Sequence, residues 1–438
     1  MGHTTLKDSI YHNLGEKMDG LSTRTPWNDT LYQILKELFT HEEADVVLKM
    51  PYSFSTFESI VQITKYDDFH LKKILENLCS KGLIMDFWIN EKYYYMPSPI
   101  IVGIFEFTMM SSSKEPTRDY KKLAALFHEY FFGSQEFANA NQGKYSGFFR
   151  TLPHEEAILQ SEHIQVYDYE SITTIIEQHD KFVMGICSCR HEKFHMGEKN
   201  CDFPMDNCSG FGLTADFVIR YNFGKEVSKS QMLENIQRSK ELGLMLNTEN
   251  MKKNVTALCH CCKCCCSLIN FINHSGYTSA IVTSNFLAEI DYMKCAGCGE
   301  CVKRCPVNAI KVSSVEKPDG VFVKQVEVDK KMCLGCGVCG VKCSFKAVNL
   351  IPRGKRVITP ETIFERLILK CLELGTLQNQ LFDNPQDVTH KFMRAFLGAF
   401  LKLSPTKRVL LSNMFRSTFL ETMKLGAKLT GKGWMTEL

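Results

Sequence analysis

The 438-residue chain has no run of about 18 or more apolar residues, so no segment of it reads as a membrane-spanning helix. The longest candidate, residues 100–110, is short and carries Glu106. The opening residues Met1-Gly2-His3-Thr4-Thr5-Leu6 lack the basic region and apolar core of a secretory leader, and Leu6 stands where myristoylation wants Ser or Thr. No G-x-G-x-x-G phosphate loop is present, and no flavin motif or general acid–base pair stands out. A strong charge of one sign is missing as well, the net value being +3, and only its distribution carries information. Hydrophobic residues make up 44%, which indicates a globular chain, and the length suffices for two to four domains.

Cysteine is what the chain has in excess, 20 in all. Without a leader these read as metal ligands in a reducing compartment, and the expected location is the cytoplasm of an anaerobe. One signature is written twice. The first copy is Cys295-x-x-Cys298-x-x-Cys301-x-x-x-Cys305-Pro306; the second is Cys333-x-x-Cys336-x-x-Cys339-x-x-x-Cys343, with Ser344 in place of proline. In such a run three thiolates hold one 4Fe–4S cluster and the fourth ligates the cluster of the other run. That assigns Cys295, Cys298, Cys301 and Cys343 to one cluster and Cys333, Cys336, Cys339 and Cys305 to a second. The repeat extends beyond the cysteines, from Ala288-Glu289-Ile290-Asp291 and Val326-Glu327-Val328-Asp329 before them to Asn308-Ala309-Ile310 and Lys346-Ala347-Val348 after. Each half reads as strand, cluster loop, short helix, strand. A pair of zinc knuckles also uses C-x-x-C pairs, but needs no quartet of this spacing. The pattern resembles the bacterial dicluster ferredoxins over roughly residues 279–352.

Ten further cysteines lie within residues 187–266. Cys187-Ser188-Cys189-Arg190-His191 follows an apolar strand at 182–186; Cys201 and Cys208 come next. After a helix bounded by Ser228, Gln231 and Gly243 comes Cys259-His260-Cys261-Cys262-Lys263-Cys264-Cys265-Cys266. Neighbouring side chains diverge, so the last six thiols cannot all reach one metal. One partition gives Cys187, Cys189, Cys201 and Cys208 one centre and residues 259–266 another; an equally allowed one shares the segments. Soft thiolates select iron–sulphur clusters, zinc or copper(I), and the expectation is one or more additional iron–sulphur clusters, with zinc as the alternative. Arg190, His191 and His195 can neutralise a cluster, donate to it or ligate it, or else pair with Asp202 or Asp206.

In this order the features resemble the ferredoxin-type 4Fe–4S-binding proteins of anaerobic bacteria and archaea: a winged-helix-like N-terminus, a C-x-C-R segment, a C-x-C-C-x-C-C-C segment and a dicluster ferredoxin domain. The stretch Gly212, Ala215, Asp216, Arg220 fits the G-x-x-A-D-x-x-x-R pattern between the two cysteine segments. The resemblance covers roughly residues 25–350 and implies a redox protein with iron–sulphur cofactors, without naming a substrate.

In the N-terminal third, apolar periodicity predicts helices over residues 31–50 (broken near Thr40), 56–64 and 71–78, then a hairpin over 84–95. That is the order of a winged helix. Residues 21–100 carry eight Lys or Arg against eleven Asp or Glu, and a net −3 lacks the phosphate neutralisation that supplies most nonspecific DNA affinity. A protein-docking module is favoured over a DNA reader. The aromatic stretch Phe127, Tyr130, Phe131, Phe132, Phe137, Tyr145, Phe148 and Phe149 reads as core. From Lys391 onward nine Lys or Arg face only Glu421 and Glu437, which fits two basic amphipathic helices separated near Ser404-Pro405. Such helices can lie peripherally on an anionic membrane, dock on an acidic partner, or pack on the body with a solvated basic face.

The expected class is α+β and multidomain. It comprises an N-terminal segment (1–20), a winged-helix-like domain (21–110), a helical and mixed connector (111–180), a Cys-rich α/β metal-binding domain (181–275), a dicluster ferredoxin fold (276–352) and a basic helical tail (353–438). The function expected is relay of single electrons to a redox partner protein, as a carrier or as the electron-transfer subunit of an oxidoreductase complex. Two alternatives stand beside it: a redox enzyme with its active site among residues 187–266, and a redox-sensing winged-helix regulator.

Overall fold

The computed structural model describes residues 6–111, 118–143, 147–159, 166–276, 278–316, 322–412 and 414–438; the opening pentapeptide and Tyr145, read above, lie outside them. Helices and strands are mixed throughout. In the N-terminal third, the helices Asp29–Leu38 and His41–Lys49 part at Thr40, which forms a reciprocal capping box with Glu43. Strand β1 (Ser55–Thr56), the helices Phe57–Thr64 and Asp68–Ser80, and the hairpin β2 (Ile84–Ile89) and β3 (Lys92–Pro97) follow, with β3 between β1 and β2. Asn90 and Glu91 both take positive φ, as a two-residue hairpin turn requires. Asp67 caps the helix Asp68–Ser80 through the His70 N–H, so its acid completes a helix end. The hairpin is fastened inward: buried Asp86 accepts from Arg220 Nη1 at 2.5 Å and Tyr221 OH at 2.8 Å. Arg220, the last residue of the G-x-x-A-D-x-x-x-R stretch, thereby ties the middle of the chain to the N-terminal third.

The middle of the chain builds a seven-stranded sheet from β4 (Phe149–Leu152), β5 (Phe182–Gly185), β6 (Cys208–Phe211), β7 (Gly224–Val227), β8 (Met245–Glu249), β9 (Ala257–Cys261) and β10 (Ile281–Val282). Their order is β10-β4-β8-β9-β6-β5-β7, antiparallel except for β10 on β4. The helix Lys229–Leu242 has the expected capping box of Ser228 with Gln231 and stops at Gly243, φ +73°. Strand β4 comes from the stretch expected as a connector, and β10 from the stretch expected as ferredoxin, so positions 180 and 275 are not breaks in the sheet. The apolar core is likewise continuous from Tyr11 to Leu350. Phe127, Tyr130, Phe131, Phe137 and Phe149 are buried, as a core reading requires.

The doubled motif folds as two crossed ladders. Strand β11 (Phe286–Ile290) pairs antiparallel with β14 (Val348–Pro352), and β12 (Ile310–Glu316) with β13 (Phe322–Val328). First strand therefore meets last, and Cys305, the fourth cysteine of the first run, lies with the cysteines of the second.

Beyond it, the helix Ile363–Leu374 is buried along most of its length. The helices Val388–Leu401 and Arg416–Leu429 bring Leu401 and Leu420, and the end of the helix Ser404–Leu410 brings the following Leu411, into the apolar cluster around it. Several of the basic residues turn inward: Arg394 donates to the carbonyls of Phe382 and Asn384, Lys407 to that of Glu373, and Lys424 pairs with Glu365. Phe392, Phe396 and Phe400, spaced four apart, stay exposed. The helical face left outward thus carries an apolar stripe as well as charge.

Candidate metal centres: four groups of thiols

The two ferredoxin runs are held by matching bonds. The N–H of Cys295 reaches the Asp291 carbonyl at 3.0 Å and that of Cys333 reaches Asp329 at 2.9 Å. Ala309 N–H points at Cys305 Sγ (3.2 Å) and Ala347 N–H at Cys343 Sγ (3.3 Å), the outer hydrogen bonding that stabilises thiolate on a cluster. Gly335 (φ +72°) admits no other residue, because a Cβ there would fall 2.2 Å from the Phe286 carbonyl oxygen. Cys305 of the first run and Cys333, Cys336 and Cys339 of the second line one small cavity. All four are buried, at 6–8% exposure, whereas Cys298 is exposed and Cys295, Cys301 and Cys343 are half-buried. The repeat is symmetric in sequence and asymmetric in burial.

The ten middle cysteines separate into two groups, and the division does not follow the segments. Cys201 leaves its sequence neighbours and meets Cys262, Cys264 and Cys265, all four sulphurs lying within 4.8 Å of one another. The other six, Cys187, Cys189, Cys208, Cys259, Cys261 and Cys266, line a cavity of about 170 Å³ that Cys262 also borders. Local backbone explains this. Strand β9 sends Cys259 and Cys261 to the cavity face, while His260 between them turns to the opposite face and meets Ser209 Oγ at 3.0 Å. The chain then turns at 263–265, with Cys266 N–H on the Cys262 carbonyl (3.2 Å), and brings Cys266 Sγ back to 3.2 Å from Cys261 Sγ. Cys187 stands directly before the helix Ser188–His195, which carries Cys189. Cys79 and Cys371 are buried in the apolar cores and behave as small apolar side chains.

Arg190 is 1% exposed and runs between the two groups. Its guanidinium donates to Asn207 Oδ1 (2.5 Å), the Pro204 carbonyl (2.9 Å) and the His260 carbonyl (2.5 Å), and reaches Cys262. It bonds to neither Asp202 nor Asp206. His191 instead meets the Met109 carbonyl at 2.5 Å and His195 at 2.9 Å, so both rings are engaged away from the sulphurs.

Burial pushes the Cys187 thiol up to about 12, and that of Cys336 likewise to about 12. Such thiols do not ionise alone; a bound metal supplies the positive charge that draws the proton off. The donor set therefore fits metal clusters, and the same chemistry makes cluster assembly release protons.

Two further residues of this cavity gave no signal in the sequence. Val102 takes φ +60°, ψ +46°, a left-handed conformation costly for a β-branched residue, in the cavity wall. Glu106 accepts the Gly103 N–H at 2.9 Å, and burial pushes its carboxyl up to about 7 against the pull of that bond. A carboxyl that holds its proton longer folded than unfolded makes stability fall as pH rises from its unfolded value through 7. Glu106→Gln is therefore expected to be more stable than the parent, by a margin that grows about 1 kcal/mol between about pH 6 and pH 8. Anaerobic urea titrations at the two pH values measure it; a constant margin would refute the buried-acid explanation.

Residues 294–347 match the family model described as a 4Fe-4S dicluster domain, which is the doubled motif and little else of the chain. No curated protein and no solved structure matches. With the thiol groups in place, the chain is an iron–sulphur protein with a dicluster domain embedded in a larger fold of mixed helix and strand.

Proposed function

We propose that the chain is an electron-transfer protein whose exposed quartet (Cys295, Cys298, Cys301, Cys343) faces a redox partner and whose buried quartet (Cys333, Cys336, Cys339, Cys305) faces the six-thiol cavity. Each quartet holds one 4Fe–4S cluster, and the cavity holds a further iron–sulphur cluster. The clusters supply one-electron, low-potential chemistry. The observation that carries this reading is the succession from exposed Cys298, through four cysteines at 6–8% exposure, to a cavity lined by six thiols of which Cys261 and Cys266 belong to the same apolar core.

The chain's own contacts link the stages. The Cys336 carbonyl accepts the His154 N–H at 2.9 Å, and His154 Nε2 meets the Leu244 carbonyl at 2.8 Å, in the small apolar cluster that holds Cys262, which also borders the six-thiol cavity. The helix Ser267–Asn273 begins directly after Cys266 and ends with Asn273 donating to the Pro306 carbonyl (2.9 Å), next to Cys305. On the outer side Tyr292, Met293 (94% exposed) and Phe345 lie next to or near the exposed quartet in sequence and offer a partner an apolar contact. The acidic winged-helix-like region is a protein-docking module in this reading, since its acids cap a helix and fasten its hairpin.

Anaerobic purification with iron and sulphide counts tests the reading. About twelve or more irons per chain are expected, with EPR signals of more than two clusters after dithionite reduction; about eight irons would confine the clusters to the ferredoxin quartets.

One observation favours a second reading, a redox enzyme acting on an apolar compound. A cavity of about 320 Å³, walled by Phe54, Phe87, Met96, Phe148 and Phe364, shares Met85, Ile101, Val102 and Thr214 with the thiol cavity. In the same EPR samples, benzene serves as a probe of apolar space. A shifted signal from the middle cluster supports the enzyme reading, and an unshifted one leaves the relay.

A further inference from the structure

The four thiol groups differ in how far apart their sulphurs stand. Cys264 Sγ lies 3.7 Å from Cys262 Sγ and 3.6 Å from Cys265 Sγ, and Cys201 Sγ lies 3.8 Å from Cys265 Sγ. One ion bonded to four thiolates at about 2.3 Å in a tetrahedron separates the sulphurs by about 3.8 Å, the edge of that tetrahedron. A cube of four irons carries each thiolate outward from a different corner, so its sulphurs stand farther apart. The chain contains its own comparison. Among the described residues, which include every ferredoxin cysteine, Cys201, Cys262, Cys264 and Cys265 form the one group of three or more ligating side chains that closes within 4.8 Å. Neither ferredoxin quartet and no trio from the six-thiol cavity does so.

We propose that Cys201, Cys262, Cys264 and Cys265 bind a single zinc ion, which goes beyond the iron–sulphur reading and does not depend on it. A thiolate site binds zinc more tightly than ferrous iron, so zinc prevails where no preformed cluster is installed. Four thiolates on one divalent ion leave two negative charges, and cations surround them: Arg190 reaches Cys262, Lys263 lies within the loop, and Lys199 donates to the Cys201 carbonyl. The ion ties the loop at 201 to the turn at 262–265. Cys261 and Cys266 flank that turn, so closing it sets two of the six cavity thiols at their 3.2 Å separation. In this role zinc is a clasp that transfers no electrons and shapes the neighbouring redox cavity.

The test uses the anaerobically purified full chain. One zinc per chain is expected, and zinc-edge X-ray absorption should show four sulphurs at about 2.3 Å and no neighbouring metal. Cys264→Ser and Cys265→Ser should lose the zinc, while Cys298→Ala should lose iron and keep it. Should the serine variants fail to fold, the absorption spectrum of the parent protein still decides. A zinc-free protein, a metal neighbour in the spectrum, or loss of about four irons in Cys264→Ser would overturn the proposal. Zinc and iron are counted separately, so failure here and failure of the relay are told apart.

Discussion

Cys336→Ala is expected to remove about four irons and four sulphides per chain and to stop electrons offered at the outer face from reaching the middle of the protein. Cys336 is 8% exposed, its carbonyl holds the His154 N–H, and its sulphur shares a cavity with those of Cys305, Cys333 and Cys339. Alanine leaves that quartet one ligand short inside a closed pocket where water cannot readily take the place. The exposed quartet has no member at this position, so its cluster should stay reducible by dithionite. Iron counts and EPR separate the two, and stopped-flow reduction by a small ferredoxin reads the transfer. Cys298→Ala makes the reciprocal comparison, losing the outer cluster and keeping the buried one. Retention of every iron in Cys336→Ala would refute the buried-quartet assignment.

Arg190→Met is expected to destabilise the fold by about 3–5 kcal/mol and to cost the middle of the chain its metal. Removing one side of a buried, hydrogen-bonded charge system leaves the other side uncompensated. Here the other side is three oxygen acceptors, those of Asn207, Pro204 and His260, together with thiolates of two metal groups. Arg190→Lys should recover little, because an ammonium group cannot reproduce the planar fork that spans Pro204, Asn207 and His260 at once. Anaerobic urea denaturation gives the stability, and metal counts show which centres survive. A loss below about 1 kcal/mol, the range of an exposed pair, would mean that this guanidinium is not the counter-charge of the thiols.

Much of the local structure was legible in the residues. The capping pair at Ser228, the helix break at Thr40, the hairpin over residues 84–95 and the two halves of the doubled motif all rest on interactions between residues a few positions apart. Short-range chemistry of that kind leaves a pattern. Burial does not. The two ferredoxin runs are nearly the same in sequence, and only their surroundings make one a solvent-facing quartet and the other an interior one.

The spacing of the eight ferredoxin cysteines by itself determined the class of the protein, because a cluster motif is a local arrangement of ligands and glycines that any host fold must accommodate. Only the tertiary structure decided how the ten other cysteines divide. Cys201 belongs with residues more than 60 positions away, and adjacent Cys261 and Cys262 serve different groups, because strand β9 and the turn after it point them apart. The bond from Arg220 to Asp86 has the same origin, a contact between distant segments that no local pattern records.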